Sequence, residues 1–181
     1  MSESEIRSYA QEKGFHPQTL RRWLAWSDKD KASLRDLADA LKPSENHLRD
    51  MMDWLEEIAL RDRIAISEVL SSKTIEDLKT DPRRGRADRL KQIKEQIRRL
   101  RYPRLAATEE DIRKRIQSLK LHPEIRLSVP PGLEGGRLQI EFTSASAGEF
   151  CDQVEKLSKA AGAPAVAEIF ALLTGRPIEE K

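Results

Sequence analysis

The 181-residue chain is 35% charged, only 5% aromatic, and carries a net charge of +2 with one cysteine. This composition excludes a large aromatic core, and a lone Cys151 excludes an internal disulfide, which fits a reducing compartment and a small buried role for that side chain. No run approaches the roughly 20 apolar residues of a membrane span, and the N-terminus lacks a basic-then-apolar leader pattern, so a soluble, cytoplasmic protein of one or two small domains is expected.

The first half predicts short helices. Residues 6–13 and 17–26 form a pair in which Ala10 precedes Gly14 by four positions, with Leu20 and Trp23 following on one helical face. That is a helix-turn-helix arrangement: the small residue allows close approach, the glycine turns the chain, and the leucine and tryptophan pin the second helix. Its outward positions, Gln18, Thr19, Arg21 and Arg22, are then candidates for contact with DNA base edges. Ser33-x-x-Asp36 has capping-box form and opens a third helix through Leu41. A fourth runs from Pro43-Ser44-Glu45 to about residue 63, with Leu48, Met51, Met52, Leu55 and Ile58 as its apolar stripe. Two short helices follow, at 66–70 and from Thr74-x-x-Asp77 to 79. An internal repeat at an offset of 28 aligns Ala10 with Ala38, Leu20 with Leu48, Arg21 with Arg49 and Trp26 with Trp54. The second copy, residues 36–54, bears Glu45, Asp50 and Asp53 outward, which phosphate would repel, so a structural role is favoured for it.

Asp81-Pro82-Arg83-Arg84-Gly85 breaks the pattern and is the candidate linker. Beyond it Leu90, Ile93, Ile97 and Leu100 form an apolar stripe beside a basic one of Lys91, Lys94, Arg98 and Arg101. Residues 83–104 hold ten Lys and Arg against two acids, whereas the segments on either side are net acidic. Arg83, Arg84, Arg86, Lys91, Lys94, Arg98, Arg99 and Arg101 are therefore the candidate phosphate contacts, and their binding should be strongly salt-dependent. Thr108-Glu-Glu-Asp111 reads as a capped helix start, with Ile112, Ile116 and Leu119 inward.

After His122-Pro123 the period changes to two. Ile125, Leu127 and Val129 alternate with polar residues, as do Leu138, Ile140 and Phe142, which predicts a hairpin joined by Pro130–Gly136. Ser146-x-x-Glu149 caps a helix with Phe150, Val154 and Leu157 inward, and Val166 to Leu173 makes a last apolar helix. Two strands alone are marginal in water. A homodimer that completes a four-stranded sheet is the expected remedy, through Ile125, Leu127, Leu138, Ile140, Phe142 and Phe150.

Candidate chemistry is sparse. His16, His47 and His122 lack metal-ligand spacing, no glycine-rich phosphate loop is present, and no serine or cysteine stands in a nucleophile motif. No catalytic residue, metal, cofactor or small-molecule substrate is expected, and no membrane partner.

Residues 8–26, and Thr19-Leu20-Arg21-Arg22-Trp23-Leu24 in particular, resemble the helix-turn-helix of bacterial transposases and related regulators. The resemblance implies DNA contact by Gln18, Thr19, Arg21 and Arg22. More distantly, Ile125-x-Leu127, Gly136-Arg137-Leu138-x-Ile140-x-Phe142 and the helix after Phe150 are similar to the C-terminal domain of ParB-type partition proteins, which implies an αββα dimerisation unit. The expectation is an α+β, mostly α protein with a helical module at 1–80, a basic connecting helix at 81–104 and a dimerising unit at 105–181. Its expected function is non-enzymatic binding of double-stranded DNA as a homodimer, in transcription regulation or DNA partition and organisation. A protein-interaction adaptor is the alternative.

Overall fold

Helix α1 (Glu3–Glu12) closes at Gly14, whose φ of +66° is open to glycine at no steric cost, and Phe15 N–H returns to Ala10 O at 2.8 Å. Helix α2 (Pro17–Leu24) starts with Pro at its first position and buries Trp23 completely, with the Tyr9 ring edge-on at 6.2 Å. The turn predicted from Ala10, Gly14 and Trp23 is present. Lys42, the repeat's counterpart of Gly14, also adopts a left-handed conformation (φ +46°). The hydroxyl of Tyr9 donates to Ala38 O, which ties the two copies together.

The computed structural model describes residues 3–175 and is mostly helical with one antiparallel hairpin, an α+β fold. The chain divides into two units, Met1–Tyr102 and Pro103–Lys181. Among the described residues no single helix is long and apolar enough to cross a membrane.

The first unit continues with α3 (Asp28–Leu41), α4 (Glu45–Asp62), α5 (Ile66–Leu70), α6 (Lys73–Thr80) and α7 (Arg86–Arg101). Helix α3 begins five residues before the predicted Ser33 box. Ser27 caps it by accepting Asp30 N–H, and Asp28 and Asp30 suit the positive end. Asp30 in turn accepts Ser67 N–H at 2.7 Å, capping the start of α5 from another helix. Helix α6 likewise starts at Lys73 with Ser72 as N-cap, one residue before the predicted Thr74 box. The core gathers Leu34, Leu37 and Leu41 from α3, Leu48, Met51, Met52, Leu55 and Ile58 from α4, and Ile93 and Ile97 from α7.

That last pair corrects the expected layout. The apolar stripe of α7 faces the N-terminal core, with Leu90 and Leu100 packed beside it, so residues 81–104 are not a connecting segment. Pro82–Gly85 is a turn between α6 and α7, and the division between units falls at Tyr102–Pro103. Arg89 closes the turn by donating to Lys79 O at 2.6 Å. Arg61 of α4 donates to Leu100 O and Arg101 O, satisfying carbonyls at the C-terminus of α7.

The second unit comprises α8 (Pro103–Ser118), β1 (Ile125–Ser128), a 3-10 segment (Pro131–Gly136), β2 (Gln139–Phe142), α9 (Ala147–Ala161) and α10 (Pro164–Thr174). Helix α8 starts at Pro103, not at Thr108, whose hydroxyl instead donates back to Arg104 O from mid-helix. Ile112 of α8 meets Ile169 and Leu173 of α10, and Arg115 bonds Glu168 at 2.6 Å across the same pair. The strands pair Ile125 with Phe142, Arg126 with Glu141, Leu127 with Ile140 and Ser128 with Gln139.

Helix α9 has the predicted cap, Ser146 accepting Glu149 N–H, but not the predicted orientation. Its buried residue is Gln153, which bonds Thr143 O and Ser144, while Phe150 is 51% exposed and Val154 is also exposed. Cys151 is exposed as well, not buried. The side-chain amide, by satisfying the backbone after β2, rotates the apolar stripe outward.

The placement of α7 is testable. Ile97→Ala removes a side chain with no exposure and should destabilise the first unit by about 2–5 kcal/mol in urea unfolding. Leu60→Ala, at 82% exposure, should change stability by less than about 0.5 kcal/mol. Equal, small effects would mean that α7 does not belong to this core.

Candidate nucleic-acid interface

Helix α4 presents charge on two flanks. Residues 45, 53 and 56 meet α2 on one, and residues 50 and 57 meet α7 on the other. The first flank holds α2. Glu45 accepts His16 N–H at 2.9 Å and the Thr19 hydroxyl at 2.6 Å. Glu56 accepts both Nε and Nη2 of Arg22, at 2.8 and 2.6 Å, and its Oε1 also accepts Trp26 Nε1–H at 2.7 Å. Asp53 takes the remaining arm of the Arg22 guanidinium. The bond to Glu56, with that to Asp53, raises the Arg22 pKa further above its already high value.

The second flank holds α7. Lys94 Nζ lies 2.9 Å from Asp50 Oδ2 and 3.0 Å from His47 Nδ1, with the Trp54 ring centroid at 5.5 Å. Arg101 pairs with Glu57. Within α7, Arg98 bonds both oxygens of Glu95, at 2.8 and 2.9 Å.

These contacts sort the candidate DNA residues. Of the four on α2, Gln18 and Arg21 are exposed, Thr19 is buried at 4% exposure, and Arg22 is half-buried between two carboxylates. Thr19 and Arg22 therefore do not point outward as their sequence positions suggest. Of the basic residues, Arg83, Arg84, Arg86 and Lys91 are exposed, whereas Lys94, Arg98, Arg99 and Arg101 are half-buried. Arg83 and Arg84 share one carboxylate, Asp81, at 3.1 and 3.0 Å. The Arg83 side chain and backbone N–H, with Arg84, hold the Asp81 carboxyl down to about 2. Glu45, Asp50 and Asp53 of the second copy are thus anchors for neighbouring helices. Their place outside the apolar stripe was visible in the chain, but not which groups they would meet.

In the second unit the six candidate dimer residues also separate. Ile125 is buried within its own unit and is removed from any contact surface. Leu127, Leu138 and Phe142 are half-buried, and Ile140 (45%) and Phe150 (51%) are exposed.

No protein-family model, curated protein or solved structure matches the chain.

The Glu45 contacts carry a pH signature. The Thr19 hydroxyl, and then the His16 N–H, hold its carboxyl below the ordinary value of 4.5. The folded chain therefore releases this proton more readily than the unfolded chain, so the stabilisation is present above pH 4.5 and is lost as pH falls through the folded-state value. Glu45→Gln should lower the urea midpoint at neutral pH, and its deficit against the unsubstituted chain should shrink on acidification. A deficit that is constant with pH would rule out the charged form of Glu45 as the anchor of α2.

Proposed function

We propose that the chain is a non-enzymatic DNA-binding protein acting as a homodimer, in regulation or in the partition and organisation of DNA. One observation carries the reading: Arg83, Arg84, Arg86 and Lys91 are all exposed at the Pro82–Gly85 turn and the start of α7. Among the described residues, Arg86 and Lys91 form no ion pair, and the nearby acids are Asp81, shared by two arginines, and the exposed Asp77 and Asp88. The Asp81 side chain is only 11% exposed whereas that of Arg83 is 87% exposed, so a phosphate meets the outer face of the guanidinium while Asp81 keeps its contacts. Phosphate contact then lies at the entrance to α7, not along its whole length. Gln18 and Arg21 of α2 remain available to base edges, and Thr19 and Arg22 fix the helix that carries them.

The adaptor alternative draws on a different observation, the exposed Phe150 and Val154 of α9. Retention of duplex DNA at low salt separates the two readings. The unsubstituted chain should bind random duplexes at about 50 mM salt, and replacing Arg83, Arg84, Arg86 and Lys91 by alanine should reduce the log–log salt slope by about 3–4. Arg21→Ala should reduce discrimination among sequences more than general affinity. Absence of retention, or an unchanged slope in the quadruple variant, would overturn DNA binding at this surface and favour the adaptor.

A further inference from the structure

Strand β2 is an open edge. Among the described residues it pairs with β1 alone, and Gln139, Ile140 and Glu141 are all exposed. On β1, by contrast, Ile125 is buried and Leu127 and Ser128 are half-buried, leaving only Arg126 exposed. Arg137 precedes β2 in extended conformation (φ −111°, ψ 141°), so the ladder can continue through it. Arg137 and Glu141 form no ion pair among the described residues.

An edge pairing antiparallel with its own copy is governed by few registers. Directly opposite residues lie on the same face of a sheet, so any register that sets Ile140 against Gln139 or Glu141 mixes the apolar and polar faces. Axes at Leu138 or Phe142 set neither Arg137 nor Glu141 against an opposite charge, which leaves for comparison the two-fold axis at Gln139, Ile140 or Glu141. An axis at Glu141 stacks two like charges. An axis at Ile140 sets Gln139 against Glu141 and Arg137 against Thr143, without an ion pair. An axis at Gln139 sets Arg137 against Glu141 twice, once on each side, and brings Leu138 opposite Ile140 on the apolar face.

We infer that the C-terminal unit joins a second copy of the chain through antiparallel pairing of β2 with β2, centred on Gln139 and selected by reciprocal Arg137–Glu141 ion pairs. Glu141 then lies between Arg126 of its own β1, its cross-strand neighbour, and Arg137 of the second copy. The result is a four-stranded sheet whose only remaining edges are the two β1 strands. This inference rests on the homodimer reading above and specifies its surface and register.

Cross-linking and sedimentation test it together. In a Cys151→Ser background, Gln139→Cys should yield a disulfide-linked dimer under mild oxidation, in preference to Ile140→Cys or Glu141→Cys. Arg137→Glu and Glu141→Arg should each weaken self-association roughly tenfold, since attraction becomes repulsion at two sites. The double variant, and an equimolar mixture of the two single variants, should restore it, which separates charge pairing from misfolding. Preferential linking through Ile140→Cys or Glu141→Cys, or a dimer indifferent to both charge reversals, would overturn the register while leaving the homodimer intact. A monomer at tens of micromolar for every chain would overturn the homodimer itself, and DNA retention is scored separately from both.

Discussion

Helix α4 is the element on which the N-terminal unit depends. A helix of 18 residues can bury one stripe, and Leu48, Met51, Met52, Leu55 and Ile58 fill it. The rest of its circumference must be polar, and carboxylates at 45, 53 and 56 occupy one flank while those at 50 and 57 occupy the other. Magnitudes separate the two roles. Burying a leucine or isoleucine is worth about 1.5–3 kcal/mol, whereas a partly exposed ion pair contributes about 0–1 kcal/mol. The apolar stripe therefore holds the helices together, and the carboxylates decide which residues of α2 and α7 lie against α4. The fork between Arg22 and Glu56, shared with Trp26, gives that choice direction as well as charge.

This arrangement changes the meaning of the basic segment. Ten cations against two acids is a large local excess, but the field that a ligand meets depends on contacts, since salt screens exposed charges beyond about 8–10 Å. Asp50 and Glu57 arrive from more than 40 residues earlier and neutralise Lys94 and Arg101 in place. What remains accessible is concentrated at the Pro82–Gly85 turn. A DNA contact there engages fewer phosphates than a stripe along all of α7 would, and so carries weaker affinity and a shallower salt dependence. On the proposed reading self-association then carries more weight, because two copies would offer twice the phosphate contacts.

The C-terminal unit poses the opposite problem. Its core is thin: Ile112, Ile169 and Leu173 are buried together, and Leu121 and Ile125 are buried outside that cluster. Helix α9 turns Gln153 inward to satisfy the backbone after β2, which leaves Phe150 and Val154 exposed, with the Phe142 ring centroid 5.9 Å from that of Phe150. A short two-stranded sheet with one open edge and an adjacent apolar helix face supports assembly with a like surface, for the same reason that natural sheets rarely leave edges uncovered.

Much of the fold was legible in local pattern. The left-handed turn at Gly14, the buried Trp23, the stripe of α4, the α7 stripe and the hairpin all follow from periodicities that depend on near neighbours in the chain. Caps were less legible. Ser33, Thr74 and Thr108 each had the spacing of a helix start, yet Ser27, Ser72 and Pro103 took that role, since a helix extends past a possible cap wherever packing rewards the extra turns. The site was the least legible, because Thr19 and Arg22 differ from Gln18 and Arg21 only in what they meet, and Glu45, Asp53 and Glu56 lie some 30 residues away. By itself, then, the sequence determined which faces of each helix and strand are apolar, since that is a property of spacing. Only the tertiary structure decided which charges are left for a ligand, since a carboxylate cancels a cation by proximity in space, whatever their separation along the chain.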